Sequence, residues 1–451
     1  MLGLYLHIPF CRQKCVYCDF PSYAGTERFY DGYVQALCRE IDASPYAGRA
    51  ADTVYFGGGT PSLLPEGALP EILVHFRRRF SLTEDAEITV EANPESLTAD
   101  KAAAWRKAGI NRLSIGIQSF NDDLLAFLGR VHTAAEGKNA VLAAYDAGFR
   151  NLSLDLMYGL PGQSVEDVAC DLLLLHELPV VHASIYSLIV EDGTRLKAEV
   201  ERGKYTLPDD DLLEAMGKTV HEKMHAYGFQ HYEVSSYAKP GYQSRHNSKY
   251  WQYVPYLGFG VSAHSFMEAG QVKGRALNAL LAENGRAVGA PLRQPGPPVG
   301  ACIECPPASE TAITDTNGRA VGVPLRQPGP PVGACMKCPP APADVYAVRW
   351  MNLRNIPQYI KRAGKETVIH DAVVITEKRA VEDYCFLALR RRIGIDAADF
   401  ERRFGRSLET EFGPIIRQLA HQGLLEKTET GWALSDLGLA YGNYVFSQFI
   451  R

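Results

Sequence analysis

The sequence predicts an α/β fold: a partial (β/α)6 barrel of TIM type followed by a C-terminal helical, winged-helix-like domain. Two observations carry this expectation. Short β-branched and aliphatic runs at residues 4–8, 53–56, 87–91, 112–117, 153–157 and 182–188 alternate with stretches at 27–43, 99–108, 134–147 and 164–176 whose apolar residues recur every three or four positions. After residue 384 the strand runs give way to helical patterns and a turn.

Each apolar run is short enough for a strand buried on both faces, and the intervening helices demand parallel pairing with right-handed crossovers. Six such units curl naturally into a barrel or part of one, which places chemistry at the strand C-termini. Gly57-Gly58-Gly59-Thr60-Pro61, Glu91, Gln118 and Asp155 all lie at or just beyond strand ends, and Cys11, Cys15 and Cys18 follow the first strand. They are expected to converge on one mouth.

Three domains are expected: 1–267, the barrel with its following region; 268–345, an insertion; and 346–451, a C-terminal unit. The insertion is rich in Pro and Gly and repeats itself. Residues 285–308 and 318–341 differ at three of 24 positions. Such a duplication cannot stack into a solenoid core, so a largely extended loop is expected. In the C-terminal unit, residues 384–392, 396–404 and 408–422 read as three helices, and 424–434 as a hairpin.

The chain of 451 residues carries 47 Lys and Arg against 52 Asp and Glu, a net charge of −5. That balance lacks the basic excess of a nucleic-acid binder, and no nucleic-acid partner is expected. No basic leader precedes the cysteines, and no apolar run approaches the roughly 18 residues of a membrane span. A cytoplasmic location follows. The ten cysteines are then ligands, catalytic thiols or buried fillers rather than disulfides. Cys38, Cys170 and Cys385 sit in helix-like apolar patterns and are expected in the core.

Cys11, Cys15 and Cys18 have C-x3-C-x2-C spacing within one loop. Three thiolates can hold three irons of a [4Fe-4S] cubane and leave the fourth open. S-adenosylmethionine (SAM) can chelate that iron, and an electron from the cluster cleaves its sulfonium to a 5′-deoxyadenosyl radical. The competing readings are a zinc site completed by His7, or three buried thiols. Gly58, Gly59 and Thr60 offer backbone groups without steric cover, or simply a tight turn. Glu91, Gln118, Arg130 and Asp155 suit a nucleoside and an amino-acid carboxylate, or structural ion pairs.

The segments LYLHIPFCRQKCVYCDF, VYFGGGTPSLL, EANPE, RLSIGIQSF, LDLMYGLPGQ and RHNSKYW together resemble the HemN/HemW group of radical SAM proteins. The resemblance spans residues 2–267 and resumes at 346; the insertion has no counterpart in it. It implies a [4Fe-4S] cluster on Cys11, Cys15 and Cys18, with SAM contacts from Tyr5, Tyr17, Gly58, Gly59, Thr60, Glu91, Gln118, Arg130 and Asp155, and more weakly Ile189. The intervals agree as well: 12 residues from Gln118 to Arg130 and 25 from Arg130 to Asp155.

Within the group, the porphyrinogen-oxidising branch typically carries a further cysteine where this chain has Phe20, and an N-terminal extension for which the position of Cys11 leaves no room. His246-Asn247-Ser248-Lys249-Tyr250-Trp251 is similar to the HNxxYW motif of the heme-handling branch. The resemblance therefore implies heme binding through His246, with Tyr250 and Trp251 offering flat apolar surface, and transfer to an apo-hemoprotein. On the residues alone, His246 reads first as a histidine bonded into a loop, with those aromatics in the core; the resemblance reverses that order. The implied partners are heme, the recipient, and an electron donor such as flavodoxin or ferredoxin, with peripheral membrane association through the recipient. The alternatives are SAM-dependent oxidative decarboxylation of coproporphyrinogen III and a non-catalytic iron-sulfur scaffold. Cys302, Cys305, Cys335 and Cys338 form two C-x2-C pairs 29 residues apart; a zinc ribbon, heme ligation at the Cys-Pro dipeptides, and a loop without a role all stay open.

Overall fold

In the computed structural model, residues 1–273 and 345–450 are described. Six parallel strands appear in sequence order: β1 (Leu2–Ile8), β2 (Ala50–Gly58), β3 (Ser81–Ala92), β4 (Arg112–Gln118), β5 (Asn151–Tyr158) and β6 (His182–Ser187). They belong to one 12-stranded sheet. Beyond β6 come β8 (Ser236–Ala238) and β7 (Gln230–Glu233), both antiparallel. On the other side of β1 come β9 (Tyr256–Phe259), β10 (His264–Glu268), β11 (Val345–Asn352) and β12 (Ile369–Thr376). Because β1 and β6 do not pair, the barrel is partial.

Alternation along the strands sorts the two faces. Leu4, Leu6, Val54, Phe56, Val90 and Ile115 face the surrounding helices and are fully buried. The opposite face carries Tyr5, Tyr55, Glu91, Ser114 and Asp155, with bonds between neighbouring strands: Tyr55 O–H donates to Glu91 Oε1 at 2.7 Å, and Ser114 O–H to Asp155 Oδ1 at 3.2 Å. The barrel thus has an aliphatic jacket and a polar, aromatic lumen.

The helices Tyr30–Ala43, Ala99–Ala108, Ala134–Asp146 and Val165–Glu177 match the expected crossovers. The local reasons are visible. Thr98, Thr133 and Ser164 cap the last three by accepting backbone N–H bonds, and Gly109, at φ +96°, ends the first of those. Helices Ala68–Arg79 and Asp210–Ala226 were not expected.

Strands β11 and β12, from the segment assigned above to the C-terminal unit, extend the main sheet from β10. Beyond them, helices Glu377–Ala388, Ala397–Phe404 and Leu408–His421 surround a three-stranded sheet of β13 (Ile395–Asp396), β15 (Gly431–Leu434) and β14 (Leu425–Lys427). Their core of Tyr384, Phe400, Phe412, Ile416 and Phe449 is separate from that of the barrel. The first helix starts and stops seven and four residues earlier than expected: the Thr376 side chain caps it, and Arg390 and Arg392 leave it to bond backbone groups of Val234 and Tyr232.

Cys38 and Cys385 are buried, but Cys170 is exposed, correcting its expected place in the core. Cys302, Cys305, Cys335 and Cys338 lie outside the described residues. Among the described residues, no helix is long and apolar enough to cross a membrane.

Candidate functional site

Cys11, Cys15 and Cys18 occupy the loop leaving β1, each partly exposed. Local packing fixes this loop. Val16 N–H donates to Leu128 O and Leu196 N–H to Val16 O, while Gln13 reaches Gly129 O at 3.3 Å. Gly129 itself adopts φ +76° at the end of helix Asp122–Leu128.

All three thiols have donors aimed at them, the Phe20 amide serving Cys18. Thr60 Oγ1 lies 3.6 Å from Cys11 Sγ, and Arg130 Nη1 3.6 Å from Cys15 Sγ. Burial raises the thiol pKa of Cys11 and Cys18, and the nearby sulfurs add to the effect. Such crowded thiols stay anionic only with a compensating cation. Arg130 supplies one, and an iron cluster would supply more. The donor set fits a cluster ligated from one loop.

His7 is excluded as a further ligand in this conformation. Its Nε2 donates to Pro21 O at 2.8 Å, so its Nδ1, 3.0 Å from the Tyr5 hydroxyl, accepts. Burial lowers its pKa to about 4, keeping the ring neutral.

The glycine turn is stitched to the cysteine loop. Gly59 N–H donates to Ile8 O at 2.8 Å and Thr60 N–H to Phe10 O at 2.7 Å. A Cβ on Gly59 would stand 2.6 Å from Phe10 O, and Gly58 sits at φ +112°, so both positions require glycine. Gly58 N–H donates to Glu91 Oε2 at 3.0 Å. All three amides are therefore committed within the protein. The Thr60 carbonyl accepts from Leu63 N–H at 3.0 Å, so the glycine carbonyls of the turn are the groups to meet a ligand's amine.

Glu91 is half-buried, and its desolvation raises its pKa. Burial and then the Glu91 charge push Asp155 up to about 7. Two carboxylates facing one lumen form a site that favours a cation. Arg112, which is fully buried, opposes both. Gln118 closes β4 at φ +71°, next to a register shift between β4 and β5, a costly backbone state for a non-glycine residue. Tyr17 is packed beside Leu128 and Leu160, and burial raises its pKa. Ile189 is exposed.

His246 stands apart from the mouth. It lies on helix Arg245–Trp251, is 1% exposed, and has both ring nitrogens engaged: Nδ1 is 2.8 Å from Thr53 Oγ1 and Nε2 3.0 Å from the Tyr250 hydroxyl. Its ring stacks on Tyr55 at 5.0 Å. Iron coordination there requires the hydrogen bond at the coordinating nitrogen to break, to Thr53 at Nδ1 or to Tyr250 at Nε2.

Two matches frame this geometry. The family model for the radical SAM superfamily matches residues 5–174, and that for the HemN C-terminal domain matches 375–441. The heme chaperone HemW of Escherichia coli K12 is 46% identical over 266 residues, covering 58% of this chain and 69% of the relative. The heme chaperone HemW of Bacillus subtilis is 31% identical over 454 residues, covering 100% of this chain and 99% of that one. The chain belongs to the HemW family. In fold it also resembles the solved coproporphyrinogen III oxidase HemN from Escherichia coli, with a TM-score of 0.71 at 20% identity over 100% of this chain and 90% of that one.

Beside the residues expected from this family's motifs, the structure adds Asn93 and Arg112. Asn93 Oδ1 accepts from Arg130 Nη2 at 2.8 Å, and Asn93 Nδ2 lies 3.3 Å from Thr60 Oγ1, so one amide joins the donors of two thiols. A signal for it stood in the EANPE segment. Arg112 opens an otherwise apolar strand, and that charge in the run was its only sign.

Proposed function

We propose that this chain binds heme and transfers it to apo-hemoproteins in the cytoplasm, with Cys11, Cys15 and Cys18 holding three irons of a [4Fe-4S] cluster and SAM on the fourth. The full-length relationship to a heme chaperone carries this reading. When bound, cluster and SAM together supply reductive cleavage of the sulfonium. The chain's own residues set the stage. Arg130 would hold the SAM carboxylate while screening Cys15, and Gly58 and Gly59 would receive the amine through carbonyls, with the Thr60 hydroxyl on Cys11. Glu91 and Asp155 would meet the ribose and the sulfonium and Gln118 and Tyr17 the nucleoside, while Tyr5 keeps His7 in its tautomer.

Phe20, Tyr186 and Ile189 expose apolar surface on the loops after β1 and at and after the end of β6. A flat macrocycle suits such surface better than the closed pocket of His246. A single-electron donor of flavodoxin or ferredoxin type would reduce the cluster.

The test uses the anaerobically reconstituted full chain. Heme is titrated in, an apo-hemoprotein is added, and coproporphyrinogen III is incubated in parallel with SAM and reductant. Stoichiometric heme binding and transfer with unaltered coproporphyrinogen is expected. Turnover to protoporphyrinogen IX contradicts the reading.

A further inference from the structure

On the outer surface of the barrel, helices Tyr30–Ala43 and Ala68–Arg79 pack side by side. Cys38 and Asp42 lie one turn apart on the first, and Glu71 and His75 one turn apart on the second. Ligand atoms of Cys38, Glu71 and His75 gather within 4.8 Å of one another. Cys38 is buried, His75 half-buried and Glu71 exposed, so the cluster opens to solvent on one side.

We propose that Cys38, Glu71 and His75 form a binding site for one zinc-type divalent cation, with the fourth position open to water and Asp42 orienting His75. The mixed S, N and O donor set suits zinc and not the all-oxygen preference of magnesium or calcium. Tetrahedral zinc keeps its ligand atoms roughly 3.3–3.8 Å apart, so small side-chain rotations close the site. The thiolate and carboxylate neutralise the ion, and the Cys38 proton leaves to solvent.

Asp42 supplies the outer support that metal-bound histidines use. Its Oδ1 is 2.9 Å from His75 Nδ1, and its Oδ2 accepts from Arg78 Nη2 at 2.6 Å. Arg78 Nη2 also approaches His75 Nδ1, at 2.8 Å. A guanidinium can only donate, so Nδ1 either accepts from Arg78 or donates to Asp42. A cation on Nε2 selects the second state. Zinc would thereby clamp the helix that follows the cysteine loop to its neighbour.

The test uses full-length, cluster-loaded protein equilibrated with buffered zinc, with zinc counted per chain by mass spectrometry in wild type and variants. Thiols elsewhere in the chain contribute equally to all samples, so the difference is read. Glu71→Ala and His75→Ala are expected to weaken binding of one zinc equivalent at least tenfold, and Asp42→Asn by about ten- to hundredfold. Glu71 is exposed, so its variant keeps the helix packing even where Cys38→Ser fails to fold. Equal zinc content and affinity in wild type, Glu71→Ala and His75→Ala overturns the proposal, as does zinc that disappears only with serine at 302, 305, 335 and 338.

Discussion

Arg130 grips Cys15 with one end of its guanidinium and Asn93 with the other: Nη1 is 3.6 Å from the Cys15 sulfur, and Nη2 donates to Asn93 Oδ1 at 2.8 Å and to Gly116 O at 2.7 Å. The planar fork fixes a cation beside the cysteine loop and makes the strand ends of β3 and β4 part of the same unit. Lysine carries the charge without the fork. Arg130→Lys is expected to retain iron and lose SAM affinity by roughly tenfold to a hundredfold, the value of a charge-assisted hydrogen bond of about 1.5–3 kcal/mol. Iron analysis with equilibrium dialysis of SAM checks this; unchanged SAM affinity refutes it.

Asp155 gives the site a pH dependence. Its pKa of about 7 in the fold, raised by burial and then by Glu91, means that its carboxylate is lost as pH falls below neutrality. A sulfonium favours the charged form, so SAM affinity is expected to rise with pH through about 7, by at most tenfold per unit below that value. Asp155→Asn flattens the profile. Without ligand the linkage runs the other way: the fold holds the proton more tightly than the unfolded chain, so this group's contribution to stability falls as pH rises from about 4 to 7.

Buried histidines set the acid limit of the fold. Burial, then the Lys249 and Arg112 charges, push His246 down to about 3, and burial takes His7 to about 4. Both rings are neutral when folded and titrate near 6.5 when unfolded. Their contribution is complete above about 6.5 and is lost as pH falls toward 4, each at up to about 1.4 kcal/mol per pH unit. Thermal unfolding between pH 7 and 4 should show this decline, and replacing His246 by Gln should make it shallower.

The same histidine separates scaffold from heme ligand. His246→Ala breaks contacts to Thr53 and Tyr250 and leaves Glu87, which accepts from the Arg245 and His246 amides, at a weakened helix start. A loss of about 2–4 kcal/mol in stability is expected, with heme bound per folded chain unchanged. Heme loss at full folding would assign the iron to His246.

Glu40 ties the barrel to the segment beyond the insertion. It accepts from Gly260 N–H at 2.9 Å, Asn352 Nδ2 at 2.7 Å and the Tyr359 hydroxyl, and burial still raises it to about 7. Tyr359→Phe removes one donor from a buried carboxyl and is expected to cost about 1–3 kcal/mol by denaturant titration.

The six parallel strands were legible because their jacket residues, such as Leu4, Val54, Val90 and Ile115, recur in short runs with helices of clear period between them. Helix Ala68–Arg79 was not, because Pro70 and the Arg77-Arg78-Arg79 run blur its stripe. Strands β11 and β12 were hidden for a different reason: β11 pairs with β10 across the whole insertion, and no local pattern encodes that partner. At the site, charges at strand ends could be read one by one. The bonds that decide their roles could not, since Thr53 holds His246 from 193 residues away and Asn93 reaches Arg130 across 37.

The most direct test of the three-cysteine site is the EPR spectrum of the reduced cluster before and after SAM is added. A cluster held by Cys11, Cys15 and Cys18 with one iron open should change its signal on SAM binding, and Arg130→Lys should need more SAM for the same change. An unaltered spectrum at saturating SAM would mean that all four irons are already ligated, and would contradict the account.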